Sequence, residues 1–102
     1  MIRINLAFNL FFLAHAAIYP QKQYNIDSLM KIDGIYKAKG YTKLPSVVGV
    51  YELNNFKKRF LGNLVDGKKH GTWKEFHPNK RVLVENYKNG NLDGSVSLFY
   101  TN

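Results

Sequence analysis

The chain contains no cysteine, and of its 102 residues only three are histidine, three proline and one tryptophan. Zero cysteine excludes disulfide frameworks, thiolate zinc sites, cysteine nucleophiles and lipid anchoring at cysteine. Acidic residues are scarce, with 7 Asp+Glu against 15 Lys+Arg, and they are scattered singly. Spacing therefore names no paired general acid and base. His70 and His77 stand seven apart without a third ligand nearby, which suits solvated turn residues better than a zinc site. Ser28, Ser46, Ser95 and Ser97 lie in no nucleophile elbow. Gly62, Gly67 and Gly71 fit neither a dinucleotide fingerprint nor a phosphate loop. No apolar run reaches the about 20 residues a membrane-spanning helix needs. These absences point away from an enzyme and away from any bound cofactor or metal.

What is present reads as a small globular domain, with 45% hydrophobic and 22% charged residues and room for one core. Residues 1–16 have the form of a signal peptide. Arg3 is the only charge before Lys22, Leu6 to Ala14 are mostly apolar, and Ala14-His15-Ala16 is a small-x-small site. Cleavage after Ala16 leaves 86 residues and lowers the formal net charge from +8 to +7. The mature protein is then expected in a secreted or periplasmic location. Retention of the leader as a short anchor and its burial as an N-terminal core helix are the other outcomes the pattern allows. Residues 17–32 read as a linker with a weakly ordered segment, in which Asp27 is placed to cap one helical turn.

From residue 33 onward the pattern changes to short aromatic or branched runs punctuated by Gly and Asn, with no apolar stripe at helical spacing. The run Asp66-Gly67-Lys-Lys-His-Gly71-Thr-Trp73-Lys-Glu-Phe76 recurs as Asn89-Gly90-Asn-Leu-Asp-Gly94-Ser-Val96-Ser-Leu-Phe99, 23 residues later. With one gap, Gly49-Val-Tyr51 through Arg59 aligns with Gly71-Thr-Trp73 through Arg81. Such a period marks stacked supersecondary units that bury their apolar faces only against each other. The units run over about 49–70, 71–93 and a partial 94–102. Each reads as a β-hairpin, because Asp66-Gly67 and Asn89-Gly90 both tolerate the positive φ of a tight turn. The expected fold is all-β: an antiparallel meander of stacked hairpins with five or six strands after Gly34, drawn out as an elongated ribbon. Gly94 to Thr101 would form an edge strand, and an edge-strand homodimer through it is one expected partner.

Three basic clusters, Lys57-Lys58-Arg59, Lys68-Lys69-His70 and Lys80-Arg81, lie beside Tyr51, Phe56, Trp73 and Phe76. The repeat places the first and third at equivalent hairpin positions, where they would form a stripe able to hold anionic lipid or polysaccharide. Nucleic acid is the less favoured ligand. The plainer reading is that lysines at turns and edges keep strands from pairing with other chains, and that Trp73 and Phe76 are packing layers.

The spacing Gly71-x-Trp73-x-x-Phe76 with Asn89-Gly90-x-x-x-Gly94 resembles the MORN-repeat variant of bacterial proteins. The run from Leu29 to Gly94 is similar to the group labelled YwqK-family antitoxins, most closely at Asp66-Gly67-Lys68-Lys69-His70-Gly71-Thr72-Trp73. Asp33-Gly34-Ile-Tyr36 and Pro45-Ser-Val-Val-Gly49-Val-Tyr51 also fit that group. The departures are Val96 at the Trp position, Asn91-Leu92 at the basic pair, and Asn54-Asn55 and Pro78-Asn79-Lys80 at the turns. The resemblance implies MORN-like stacking defined by Gly49, Tyr51, Gly67, Gly71, Trp73, Phe76, Gly90, Gly94 and Phe99, and it supplies no catalytic residue. Three functions remain open: an exported β-repeat binding or scaffold module for a protein or envelope component, an anionic-surface binder, and an antitoxin-like protein.

Overall fold

The computed structural model of the chain describes residues 21–101; the proposed leader and its cleavage site at Ala16 lie outside them. Nine strands follow one another: β1 (Gln23–Asn25), β2 (Met30–Ile32), β3 (Ile35–Lys37), β4 (Val47–Asn54), β5 (Lys57–Val65), β6 (Lys68–His77), β7 (Arg81–Lys88), β8 (Asn91–Leu92) and β9 (Ser97–Tyr100). Single 3-10 turns at Ile26–Ser28 and Lys39–Tyr41 interrupt them.

The long strands β4 to β7 pair antiparallel in succession because their connections are two- and three-residue turns built for positive φ. Asp66-Gly67 has φ of 51° and 77°, and Asn89-Gly90 has 52° and 84°. Gly71 and Gly94, again 23 residues apart, both adopt positive φ, at 78° and 94°. The backbone geometry thus recurs with the sequence period. Beyond β7, β8 pairs with its Tyr87–Lys88 end and β9 with Arg81 to Val84. The molecule is elongated, at 53 × 39 × 29 Å with a radius of gyration of 16.2 Å, against about 13 Å for a compact domain of 100 residues.

Two expectations need correction. The sheet is mixed rather than wholly antiparallel, because β1 runs parallel to β4, with Gly49 N–H donating to Lys22 O at 2.9 Å. Seven strands, β3 to β9, lie after Gly34 rather than five or six. The second difference comes from the short strands β3 and β8, and the first from the segment expected as a linker. From residue 21 on, it is structured: Asn25 Oδ1 caps the first 3-10 turn by accepting from Asp27 N–H at 2.9 Å, so Asn25 does the capping expected of Asp27. A single sheet has two faces, and this one needs a cover to bury any side chain from water. Tyr24, Ile26, Leu29, Tyr36, Ala38 and Leu44 supply it, packing over Val48, Val50, Leu61, Leu64 and Trp73. The β2–β3 hairpin is fastened to the sheet by Tyr36 N–H donating to Gly67 O at 2.8 Å. A side chain at position 67 would meet Ile35 Cγ2 at 2.6 Å and Tyr36 O at 2.8 Å, so glycine is required there for space as well as for φ.

Candidate functional site

Trp73 is the pivot of the covered face. Its ring lies flat on Gly62, where a Cβ would stand 2.4 Å from Cδ2, and its indole N–H donates to Asn63 O at 2.9 Å. The register shift at Val50/Tyr51, where Leu61 is the extra residue of β5, brings Gly62 and Leu61 together under that ring. Trp73 is 5% exposed and therefore packs rather than offering a stacking platform to a ligand.

Lys69 rises from β6 beside it, its Nζ 4.8 Å from the ring centroids of both Trp73 and Tyr87. Burial lowers the pKa of this ammonium; Glu85 opposes the shift, Lys31 adds to it and Glu75 opposes it. Tyr87 donates its hydroxyl to Glu85 Oε1 at 3.2 Å, and its pKa is raised first by burial and then by Glu85. Burial also raises Tyr36. A cleft of about 270 Å³ opens here, lined by Tyr36, Lys69, Trp73 and by Glu52, Glu75 and Glu85, the only three glutamates of the chain. In sequence these acids stand apart; in the sheet they converge, because β6 and β7 place Glu85 opposite Trp73, and Glu75 lies two residues along the same face. The three-residue turn Pro78–Lys80 sets this register; a two-residue turn at Pro78-Asn79 would instead have set Trp73 opposite Val84. Glu52 is ion-paired to Arg59, and Glu75 Oε1 lies 2.7 Å from His77 Nε2, within hydrogen-bond distance. The arrangement holds Lys69 as an internally compensated cation within an aromatic and acidic surround. Among the described residues, no group of three or more His, Cys, Asp and Glu side chains is placed to hold a metal ion.

The seven basic residues of the expected stripe divide between two ends of the sheet. The β4–β5 and β6–β7 turns lie at one end, with Lys57, Lys58, Lys80 and Arg81. Lys68 and Lys69 lie at the other, beside the β5–β6 turn. Four of the seven already have partners in the chain, among them Lys69 as above and Arg59, whose guanidinium lies 4.3 Å over Phe76 while pairing with Glu52. Lys58 Nζ lies 4.4 Å over Tyr51, and Arg81 Nε–H donates to Pro78 O at 3.4 Å. Lys57, Lys58, Lys68 and Lys80 are exposed.

The β4–β5 end carries a residue that the basic pattern did not single out for its exposure. Phe56 is 100% exposed and, with Asn55, adopts positive φ of 65° and 53°. A bulky residue in that region is strained by about 1 kcal/mol, so the turn holds an aromatic ring in water at a conformational cost. Leu53 and Phe60 lie exposed on the same hairpin. Of the repeat-defining residues, Gly49 is buried against Phe60, Tyr51 and Phe76 are half-buried beneath cations, and Phe99 is exposed.

Among the described residues no helix is long and apolar enough to cross a membrane. Comparison with protein-family models, with curated proteins and with solved structures finds no match to this chain.

Proposed function

We propose that this is a non-enzymatic, exported binding module of MORN-like stacked hairpins, which contacts a protein or envelope partner through the β4–β5 hairpin end. The observation that carries it is Phe56, fully exposed in a strained turn and flanked by Leu53, Phe60, Lys57 and Lys58. A folded chain seldom holds a large aromatic ring in water at a backbone cost unless something else covers it. The recurrence of turn geometry at Asp66-Gly67 and Asn89-Gly90 supports the repeat reading, and the leader supports export.

Fractionation of the tagged full-length chain tests the location: recovery in the envelope or external fraction is expected, and a wholly cytoplasmic chain overturns export. Binding of the purified chain to the envelope fraction is expected to saturate and to be lost in Phe56→Ser with thermal stability retained. Binding that ignores Phe56→Ser removes the hairpin end from the function.

A second reading rests on charge at the same end of the sheet, where Lys57 and Lys58 follow Phe56 and the β6–β7 turn carries Lys80 and Arg81. It makes the partner an anionic phospholipid or polysaccharide. Vesicle or heparin binding is then expected to fall steeply with salt and to disappear in the Lys57→Glu, Lys58→Glu double variant. Salt-independent binding overturns it.

A further inference from the structure

The C-terminal margin of the sheet offers a different surface. β9 pairs with β7 on its inner side, and among the described residues no strand pairs with its outer side. Thr101 donates its N–H inward to Lys80 O at 2.7 Å. By antiparallel alternation, the N–H and C=O groups of Leu98 and Tyr100 therefore face outward. The large side chains along this margin are in water, from 48% exposed at Val96 to 73% at Tyr100, with Leu98 and Phe99 between.

Edges of this kind are normally kept apart by lysine, proline or a covering element. Gly94 to Thr101 contains no Lys, Arg, Asp, Glu or Pro, in a chain with 22% charged residues. The opposite margin is guarded: β1 is only three residues long and follows Lys22. The repeat sharpens the contrast. Val96 and Phe99 occupy the places that Trp73 and Phe76 hold one unit earlier, and there those side chains are buried and half-buried.

We propose that the chain self-associates by antiparallel pairing of β9 with β9 of a second copy about a two-fold axis. The strand is self-complementary in the register that sets Leu98 opposite Leu98. Val96 then faces Tyr100, and every outward-facing backbone group in 96–100 meets an outward-facing group of the partner. Val96, Leu98 and Tyr100 of both copies share one face of the extended sheet. An acidic partner is drawn instead to the lysine-bearing hairpin end, which leaves this uncharged strand to its own kind. Each copy carries +8, so salt strengthens this association by screening repulsion. That sign is opposite to binding at an anionic surface, and the proposal is independent of the role given to Phe56.

The absence of native cysteine makes the register directly testable. In a hydrogen-bonded antiparallel pair the Cα atoms lie about 5.5 Å apart, within the roughly 4.4–6.8 Å a disulfide spans. Under mild oxidation Leu98→Cys is expected to form covalent dimers about tenfold faster than Phe56→Cys, which is fully exposed but off the two-fold. Sedimentation of the unmodified full chain is expected to show a monomer–dimer equilibrium that tightens with salt. Leu98→Lys and Leu98→Pro are expected to weaken it by about tenfold or more, the second by deleting an outward N–H that β7 does not use. Leu98 is half-exposed, so both variants should keep the native emission of Trp73, which confirms that they fold. A chain that sediments as a monomer at every concentration and salt level overturns the proposal. So does a Leu98→Cys variant that crosslinks no faster than Phe56→Cys.

Discussion

Gly62→Ala is the sharpest probe of how the sheet holds its core. The position has no positive φ, so backbone strain is not at issue; space is. The new methyl would lie 2.4, 2.5 and 2.6 Å from Cδ2, Cε2 and Cγ of Trp73, against an optimum of about 3.5–4.0 Å between carbons. The ring must retreat by about 1 Å or more, and Cγ cannot swing away as a side-chain tip can. Overpacking of this sort costs about 1–3 kcal/mol. Loss of the indole hydrogen bond to Asn63 O adds about 0.5–1.5 kcal/mol. Reduced freedom of the unfolded chain returns about 0.4–1 kcal/mol. The net loss is about 2 kcal/mol, or a fall in Tm of about 10 °C for a domain of this size.

Trp73 is the sole tryptophan, so its fluorescence reports both the unfolding midpoint and the local environment. Gly62→Ala is expected to red-shift native emission as well as to lower the midpoint. Gly71→Ala separates space from backbone: nothing lies within 4 Å of its Cβ, but its φ is +78°. It should cost about 1 kcal/mol with emission unchanged. In a Trp73→Leu background the penalty at Gly62 should shrink to about 0.5 kcal/mol or less, since the clash has been removed. An unshifted midpoint and emission for Gly62→Ala, or an undiminished penalty in the double variant, would refute the reasoning.

Two further outcomes follow from the same contacts. Phe56→Gly relieves about 1–2 kcal/mol of positive-φ strain but adds about 0.4–1 kcal/mol of unfolded-chain freedom, so denaturation should show a net gain of about 0.5 kcal/mol; a loss above about 1 kcal/mol would mean that Phe56 packs in solution. Tyr36 and Tyr87 both have pKa values raised above 10.0, so the stability they contribute is full below pH 10 and is lost as pH rises through their folded values. Lys69 acts in the opposite sense: lowered from 10.5, it carries a burial penalty at low pH that is relieved as it deprotonates. Phenolate absorbance of the native protein isolates the tyrosines from that balance. The absorbance change lost in Tyr36→Phe and in Tyr87→Phe should lie above pH 10, and a lost component at or below pH 10 would contradict the buried placement.

The turns and the long strands were legible in the sequence because their determinants are local. Asp-Gly and Asn-Gly require positive φ wherever they stand, and branched and aromatic runs between them have few alternatives to strand. The edge position of 94–101 followed from the same punctuation. β1 was not legible, since three residues hold no periodicity, and its pairing depends on the free edge of β4 more than twenty residues away. Nor was the withdrawal of Arg59 and Lys69 from the basic clusters. A lysine in a turn signal reads as solvated, yet Lys69 lies across Trp73 and Tyr87 because the β6–β7 pairing sets Tyr87 beside the strand that carries Lys69 and Trp73.

The difference between the two repeat units locates what the sequence period leaves undecided. A recurring pattern specifies a hairpin; it does not specify what covers the hairpin. Trp73 is buried because Gly62, Asn63 and the segment carrying Tyr36 and Ile26 happen to reach it. Val96 occupies the equivalent place and has no such cover among the described residues. Burial at positions 23 residues apart is thus set by the neighbouring segment rather than by the period. The side chains at the two positions therefore differ in exposure because of what lies over each strand, and a sequence period carries no information about that cover.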